Sequence, residues 1–516
     1  MSFVELVPET LTAAVTDLTG IGSTISAANA TAAVPTSGLL AAGGDEVSAA
    51  LATLFGEYGR EYQALAGQLD ASYDRFTRNL AASMNSYAAT EFAGIGQLLS
   101  GLAAGPARAI NEPVRELTGR PLFGAGTNGY TTARGVGTPG GPGGWLFGDG
   151  GTGGVSTSYG VAGGAGGAGG FLLGNGGTGG GSLYGGMPGG PGGPAGLIGI
   201  GGTGGASGPG GVGGPGGRGG LLGLPGTAGI SMQLAVDQTL IHPDQYGNPI
   251  LNISVGDGPS VPVIVDSGAT GLVVPPQYVN VATLGSPTGS GSVSYGGTLF
   301  VDYQTYQTTL NFGNGIVTTP TTVGVATSAY LGNPGNPVAL SSLPAYLGVG
   351  PNDGYPFTTP VTSALPGDMN EGVLINLPRG MLEFGPNPLP PLVALDGAPR
   401  TVVQVQINHE LPQTVGAFID SGGVSGAIPQ SLVPGLDIGN HLPAGTTITV
   451  STINGVPLYT QTVTVGDTPL VVASATGPKY GAGYYVFNTG NYPFSQLPIY
   501  IWNNDAVGTT IFDQQL

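Results

Sequence analysis

The tripeptide Asp-Ser-Gly occurs twice in the C-terminal part of the chain, at residues 266–268 and 420–422. A single copy would indicate little, because Asp-Ser-Gly is also a common turn sequence. Each copy here follows three apolar residues, 263–265 and 417–419, that predict a buried strand. A carboxylate at the end of a core strand is unusual for a solvated turn and suggests chemistry.

Two aspartates held side by side can hydrolyse a peptide bond with neither a metal nor a thiol. Two carboxylates that share one proton cannot both ionise, so their titration splits into a low and a high step. The ionised member would take a proton from a water held between them, while the protonated member would donate a hydrogen bond to the scissile carbonyl. We therefore predict that Asp266 and Asp420 are the catalytic pair. Which of them is the base and which the acid stays open.

The residues after each aspartate are suited to building an active-site loop. Gly268 and Gly422 would allow the two loops to approach closely, because glycine carries no side chain. The hydroxyls of Ser267 and Ser421 could then lock one loop to the other.

The region that must position this pair begins after about residue 229, where Val, Ile, Thr and Tyr alternate with polar residues between frequent turns. We predict two β-lobes, at about 229–395 and 396–516, each with one Asp-Ser-Gly. This arrangement resembles the bilobal pepsin-like aspartic proteases, whose active site takes Asp-Thr/Ser-Gly from each lobe. The resemblance implies an all-β bilobal fold and an aspartic-type endopeptidase that needs no cofactor.

Other segments fall in the order of the pepsin-like pattern. Residues 294–298 resemble the tip of the flap, which makes Tyr295, followed by Gly296, the candidate aromatic over a bound peptide. The alternative for Tyr295 is an exposed tyrosine in a hairpin. Residues 346–348 resemble the apolar-apolar-Gly element that passes behind the first aspartate, and residues 383–385 the strand that closes the first lobe.

Three features depart from that pattern. Pepsins place a hydroxyl donor three residues after each aspartate, but those positions hold Ala269 and Gly423. We therefore expect each carboxylate to accept fewer hydrogen bonds and the enzyme to work at a higher pH. In the second lobe, residues 488–490 are Asn-Thr-Gly where two apolar residues and Gly are expected. The second lobe is also the shorter.

Two other functions fit parts of the same region. The β-domain could bind a peptide or a host ligand without cleaving it, with the aspartate pair retained only as scaffold. A serine hydrolase is disfavoured, because residues 423–427 lack the last glycine of a nucleophile elbow and His441 follows Ser425 too closely.

A glycine-rich block at residues 126–228 precedes the β-domain and holds about half of the chain's 101 Gly. Residues 145–154, 171–180 and 197–205 are related copies, so the block repeats about every 25 residues and predicts stacked units. Such backbones can pack in layers or stay flexible. Calcium-binding nonapeptide repeats are disfavoured, because Asp149 is the only aspartate in the block.

The N-terminal residues 1–93 have helical periodicity, with apolar positions three and four apart in two runs joined near Pro35. We predict a helical hairpin that buries little by itself, and therefore a docking module. Its opening Ser-Phe-Val, its length, and Tyr87 and Glu91 at its end resemble the PE domain of the mycobacterial PE/PGRS proteins. By spacing alone, Tyr87 and Glu91 would be an ordinary exposed pair one turn apart.

The PE resemblance carries further implications. It implies a PPE-type helical partner for residues 1–93 and assigns the signal for type VII secretion to Tyr87 and Glu91. The connector at 94–125 contains Gly-Arg-Pro-Leu at 119–122, which resembles an element associated in that family with the outer-membrane surface, although it could also be a plain turn. We therefore expect a secreted, surface-located protease that cleaves itself and other exported PE-bearing proteins.

Composition limits the remaining possibilities. A formal net charge of −18 disfavours nucleic-acid binding. Without Cys, thiol catalysis, disulfides and Cys-ligated metals are excluded, and three His make a histidine metal site improbable. We expect no metal, no transmembrane helix, and export without a cleaved signal peptide.

Overall fold

The structure is a computed structural model that describes residues 8–39, 42–43, 45–59, 61–63, 65–67, 69, 72–73, 76–77, 106–295, 298–332, 336–351, 356–474, 485–503 and 507–514. The chain divides into two compact units, with the boundary between Pro113 and Val114.

The first unit is built on the helix Pro8–Ser37 and a second helical segment whose described residues lie between 46 and 77. Asp45 begins the second segment, since its Oδ1 accepts hydrogen bonds from the backbone N–H groups of residues 47 and 48. Tyr62 Oη donates to Asn29 Oδ1 at 3.0 Å, and Tyr73 Oη to the Leu18 carbonyl at 2.9 Å. Later residues thus contact earlier ones, as in the predicted antiparallel hairpin.

Some predicted features of this unit cannot be placed. Tyr87 and Glu91 lie outside the described residues. The connector contains the helix Pro106–Thr118, which the sequence analysis did not predict. Gly119 ends this helix with a left-handed φ of 73°.

The glycine-rich block forms stacked layers that are neither helix nor strand. One rung of parallel bridges runs through Phe123, Phe147, Leu173, Ile198 and Leu222, one residue per layer. Pro209 forms a similar bridge with Met232, so layered structure runs beyond the 126–228 predicted at both ends. The compact alternative is therefore the one observed.

Glycine is needed here because the layers lie in direct backbone contact. A Cβ added at Gly144 would lie 2.7 Å from the Leu122 carbonyl oxygen of the preceding layer, and one at Gly170 2.8 Å from that of Gly144. Side-chain acceptors also link the layers: Asp149 Oδ1 accepts from the Asn175 N–H at 2.7 Å, and Asn175 Oδ1 from the Ile200 N–H at 2.8 Å. Asp149 thus has a structural partner within the stack.

The glycine-rich stack packs against the β-rich region. Tyr184 is 4% exposed and lies against Gly380, where an added Cβ would be 2.6 Å from Tyr184 Cζ. The Gly185 N–H donates to the Arg379 carbonyl at 2.7 Å. Tyr159 stacks on His242 with ring centroids 5.2 Å apart. The block is therefore fixed to the domain that follows it.

The β-rich region begins with β1 (Gln238–Leu240), which joins a sheet shared by both halves of the region. The next nine strands form the first-half sheet, in the order β2-β3-β4-β10-β5-β9-β7-β6 with β8 beside β3. They are β2 (His242–Pro243), β3 (Pro249–Val255), β4 (Val261–Asp266), β5 (Thr270–Val274), β6 (Gly289–Tyr295), β7 (Leu299–Thr308), β8 (Leu310–Asn311), β9 (Thr321–Leu331) and β10 (Ala345–Val349).

The shared sheet then receives three strands, β11 (Gly372–Asn376), β12 (Met381–Phe384) and β13 (Pro391–Asp396). Seven more form the second-half sheet, in the order β18-β17-β14-β15-β20-β16-β19. They are β14 (Arg400–Ile407), β15 (Gln413–Phe418), β16 (Ala427–Pro429), β17 (Thr447–Ser451), β18 (Pro457–Thr462), β19 (Leu470–Val472) and β20 (Tyr485–Asn488).

The end of the chain returns to the shared sheet through β21 (Ile499–Trp502) and β22 (Thr509–Asp513), giving the order β1-β12-β11-β21-β22-β13. Short helical segments lie between strands, at Pro276–Tyr278, Val281–Leu284, Leu340–Ser342, Val361–Ala364, Gly367–Asn370, Leu377–Arg379, Gln430–Leu432 and Tyr492–Gln496. One buried apolar cluster extends through both halves, from Val263 and Leu347 to Ile419 and Phe487. The predicted all-β bilobal fold class is confirmed, and the two lobes are joined by a sheet that takes strands from both.

Candidate active site

Asp266 is the last residue of β4. This strand lies in the middle of the first-half sheet, antiparallel to β3 and parallel to β10, with Gly348 opposite Asp266. The alternating pattern of β4 buries Val261, Val263 and Val265 completely, which anchors the strand. The Asp266 side chain is 7% exposed and is therefore held at the end of a core strand, as the sequence predicts.

Asp420 follows β15 in the second half. β15 is antiparallel to β14 and parallel to β20, with Phe418 opposite Asn488. Ala417 and Ile419 are fully buried. The two aspartates therefore occupy related places, each just after a central strand that has a parallel neighbour.

The two Asp-Ser-Gly loops are joined by four crossing hydrogen bonds. The N–H of Ser267 donates to Ser421 Oγ, and the N–H of Ser421 to Ser267 Oγ, both at 2.9 Å. Ser267 Oγ donates to the Ile419 carbonyl at 2.6 Å, and Ser421 Oγ to the Val265 carbonyl at 2.7 Å. Both serines are fully buried. The hydroxyls thus lie where the sequence analysis placed them, each locking its own loop to the opposite strand.

The glycine of each loop lies against the aspartate of the other. A Cβ added at Gly268 would be 2.7 Å from Asp420 Oδ1 and 3.1 Å from Asp266 Oδ1. One added at Gly422 would be 2.5 Å from the Asp266 carboxyl carbon. Both carboxylates therefore meet in the small space between the two glycines. The side chains of the two aspartates thus approach each other across the loops.

Backbone groups of the loops hold the carboxylates. Asp266 Oδ1 accepts from the Gly268 N–H at 2.7 Å. Asp420 Oδ1 accepts from the N–H groups of Gly422 at 3.0 Å and Gly423 at 3.1 Å. These hydrogen bonds fix the direction in which each carboxyl group points.

Asn488 is a site residue whose role the sequence analysis missed. Its Nδ2 donates to Asp420 Oδ2 at 2.6 Å. Thr489 Oγ1 accepts from the backbone N–H of Asp420 at 3.1 Å. The expectation that Asp420 has one donor fewer is therefore wrong, because the amide of Asn488 supplies it from β20. The only signal in the sequence was the departure at residues 488–490.

Tyr295 ends β6, which pairs with β7 in the hairpin that the flap resemblance predicts. Its ring stacks on Tyr346 with centroids 4.6 Å apart, so it is half-buried and not a free hairpin tyrosine. Burial, with a smaller effect of the charges on Asp266 and Asp420, raises the pKa of Tyr346 to about 12. Tyr346 thus lies between the hairpin and the aspartates. Gly296 lies outside the described residues.

The residues of the serine-hydrolase alternative serve other purposes. His441 is exposed, and its Nδ1 lies 2.7 Å from the Thr468 carbonyl oxygen. The turn around Ser425 packs on the strand end that holds Asn488, since a Cβ at Gly426 would be 2.7 Å from the Gly490 nitrogen.

Across the described ranges, no helix is both long and apolar enough to cross a lipid bilayer.

Comparisons with known proteins give concordant matches along the chain. Residues 237–511 match the PE-PGRS C-terminal aspartyl peptidase-like domain, residues 4–94 the PE family, and residues 123–170 and 165–222 the PGRS repeats. "PE cleavage protein A" of Mycobacterium tuberculosis is 41% identical, covering 99% of this chain and 100% of the relative. The protein of the same name in Mycobacterium marinum is 38% identical over the same shares.

Among solved structures, the aspartic proteinase from Irpex lacteus matches 54% of this chain and 97% of its own, with a TM-score of 0.38 and 14% identity.

Proposed function

Because the chain belongs to the PE-PGRS family and carries its C-terminal aspartyl peptidase-like domain, we propose that it is an aspartic endopeptidase of the mycobacterial cell surface. The observation that carries the proposal is the meeting of Asp266 and Asp420 between Gly268 and Gly422, held by the crossed serine hydrogen bonds. Burying two carboxylates costs free energy. A pair held this rigidly is therefore better explained by acid-base chemistry than by a structural role.

In the proposed reaction a water lies between the two carboxylates. The ionised aspartate takes its proton, and the oxygen attacks the scissile carbonyl. The protonated aspartate donates its hydrogen bond to the carbonyl oxygen as the tetrahedral intermediate forms, and a proton then passes to the leaving nitrogen. Tyr346, neutral at working pH because its pKa is about 12, forms a wall beside the pair together with Tyr295.

The proposed substrates are exported PE-bearing proteins, including this chain. The name of the relatives, "PE cleavage protein A", supports this choice. Self-processing would separate the hairpin from the rest. We place the cut on the N-terminal side of Gly119, because the layers that follow are in tight backbone contact and are fixed to the catalytic domain through Tyr184.

Export and location complete the proposal. We assign the type VII secretion signal to Tyr87 and Glu91 and a PPE-type partner to residues 1–93, on the family resemblance. The hairpin's exposed apolar side chains support a helical partner, since they would be covered by one. These include Ile21, Ile25, Leu51, Phe55, Leu65 and Leu69. Association with the outer-membrane surface rests on Gly-Arg-Pro-Leu at 119–122.

The test compares the full-length chain with Asp266→Asn, Asp420→Asn and the control Asp437→Asn, which changes an exposed carboxylate. Each is incubated alone, and with a second PE-bearing protein, from mildly acidic to neutral pH, and followed by intact mass. The parent and the control should both produce fragments. The two active-site variants should be slower by about 10³-fold or more. If the parent and control leave both proteins and a general peptide library intact, the proposal fails and the non-catalytic ligand-binding function takes its place.

A further inference from the structure

Asp420 is held on both of its carboxylate oxygens. Oδ1 accepts from the backbone N–H groups of Gly422 and Gly423, while Oδ2 accepts from Asn488 Nδ2 at 2.6 Å. The last bond is the shortest of the three and joins residues 68 positions apart in the chain. A short hydrogen bond from an amide to a carboxylate is of the charge-assisted kind, roughly twice as strong as a neutral one.

The direction of the Asn488 amide is fixed by its other end. Asn488 Oδ1 accepts a hydrogen bond from the Gly490 N–H at 2.8 Å. Reversing the amide would place its NH₂ group against that N–H and its oxygen against the carboxylate, which would lose both bonds. Asn488 is therefore a donor to Asp420, and the turn at Gly490 orients it.

Gly423 leaves the space that this arrangement needs. A Cβ at residue 423 would lie 2.7 Å from Asp420 Oδ2 and 3.2 Å from Asn488 Oδ1. The position three residues after Asp420 and the side chain of Asn488 thus compete for the same side of the carboxylate. A hydroxyl donor on the loop and an amide donor on β20 are alternative solutions, and this chain has the second.

We propose that Asn488 is the positioning residue that fixes the direction of the Asp420 carboxylate, and that residue 423 is glycine because Asn488 is present. The inference rests on the proposed endopeptidase function. Within the part of the chain that the structure describes, two other titratable groups face Asp420, namely Asp266 across the loops and Tyr346 from β10. Tyr346 stays neutral over the working range, so the pH response belongs to the aspartate pair and its hydrogen bonds.

The experiment uses five full-length chains: the parent, Asn488→Leu, Asn488→Ala, Gly423→Ser, and the double variant Asn488→Ala with Gly423→Ser. Rates of self-cleavage and of labelled casein cleavage are measured against pH. Leucine matches asparagine in size but cannot donate, so Asn488→Leu should be slower by about 10- to 100-fold and its acidic limb should move up by about one pH unit. Gly423→Ser alone should also be slow, because its Cβ displaces Oδ2.

The double variant gives the decisive result. With the amide gone, the carboxylate can move away from residue 423, and the serine hydroxyl can donate to it. The double variant should therefore recover to within about fivefold of the parent, with a parental pH profile, a non-additivity that only residues sharing one interaction show. Parental behaviour of Asn488→Leu would overturn the proposal, and so would a double variant whose loss equals the product of the losses of Asn488→Ala and Gly423→Ser.

Melting temperatures of the same five chains test the inference without relying on catalysis. A bond to an ionised carboxylate stabilises the fold at neutral pH and is lost as the carboxylate is protonated. Asn488→Leu should therefore lower the melting temperature at neutral pH and have little effect at about pH 3, and the double variant should restore it. Equal losses at both pH values would contradict the inference. An inactive parent with this pH-dependent pattern would refute only the proposed function.

Discussion

The two halves of the catalytic domain build the same backbone frame and then support their aspartates differently. In each, a central strand leads into Asp-Ser-Gly, with a parallel strand beside it, β10 in the first half and β20 in the second. Tyr346 and Asn488 hold corresponding positions. In the first half Tyr346 lies two residues before Gly348, and in the second half Asn488 lies two residues before Gly490. Tyr346 stacks on the hairpin residue Tyr295, whereas Asn488 binds Asp420.

The symmetric and the asymmetric contacts therefore have different roles in the site. Crossed serine bonds and facing glycines are symmetric, and they bring the carboxylates together. The residues on the parallel strands are asymmetric: Asn488 gives Asp420 a side-chain donor, whereas Tyr346 places an aromatic ring beside the pair. A pair of identical acids can be given different tasks in this way, because surroundings and not residue type separate their behaviour.

The largest effect should come from the symmetric glycines. Gly268→Ala and Gly422→Ala each place a methyl group within 2.8 Å of the opposite carboxyl group, so the reacting groups themselves must move. We expect both variants to lose about 100-fold or more in kcat/KM while remaining folded. Gly435→Ala is the control, since its added Cβ meets nothing within 4 Å. A large loss of kcat/KM for only one of the two variants would show that the two glycines are not equivalent.

The next effect concerns the crossed serines. Ser267→Ala and Ser421→Ala each remove a buried hydroxyl and leave an N–H and a carbonyl on the other loop without their partner. Each should lower the free energy of unfolding by about 2 kcal/mol or more, measured by urea denaturation. Ser267→Thr and Ser421→Thr keep the hydroxyl and should cost clearly less. Threonine variants as unstable as the alanine ones would show that packing, not hydrogen bonding, joins the loops.

The smallest effect is expected in the sheet that both halves share. Asp513 at the end of β22 is fully buried; Asn387 Nδ2 donates to its Oδ1 at 2.9 Å, while its Oδ2 has no hydrogen-bond partner among the described residues. Burial raises the pKa of Asp513 to about 6. A raised acid pKa means that the group costs stability as pH rises from its unfolded value through 6, and costs nothing well below that window.

Asp513→Asn should therefore raise the free energy of unfolding by about 1 kcal/mol at neutral pH, allowing for solvent screening, and leave it unchanged near pH 3.5. Asp396→Asn, which changes an exposed carboxylate of the same sheet, is the matched control and should leave the free energy of unfolding unchanged at both pH values. Because both halves share this sheet, the gain should appear in a single unfolding transition. A gain confined to one of two separate transitions would show that the halves are independent.

Features predicted correctly from the sequence are those with a local signature. The apolar runs before Asp266 and Asp420 identify core strands, and the repeat near residues 145–154 identifies layers, because each pattern lies within a few neighbouring residues. The family and fold class follow from those patterns. The roles of the site residues stay predictions until the variants are measured.

What the sequence did not reveal depends on contacts between distant residues. The bond from Asn488 to Asp420 has no local pattern, since nothing near Asn488 distinguishes it from a strand-end asparagine in a turn. The fit of Tyr184 against Gly380 likewise requires the register of two separate regions. The missing hydroxyl at Gly423 was visible, but the residue that compensates for it could be found only in three dimensions.

The close backbone contacts of the glycine-rich stack limit how this part of the chain can change by mutation. The rung from Phe123 to Leu222 takes one residue from each layer, so an insertion inside the Gly-Gly-x run of a layer would shift the following glycines of that run out of contact and bring side chains against carbonyl oxygens. Gain or loss of a whole layer of about 25 residues keeps every contact. The spacer is therefore free to vary in length by duplication of entire units, about 5 Å at a time, while the composition of each unit is held nearly constant.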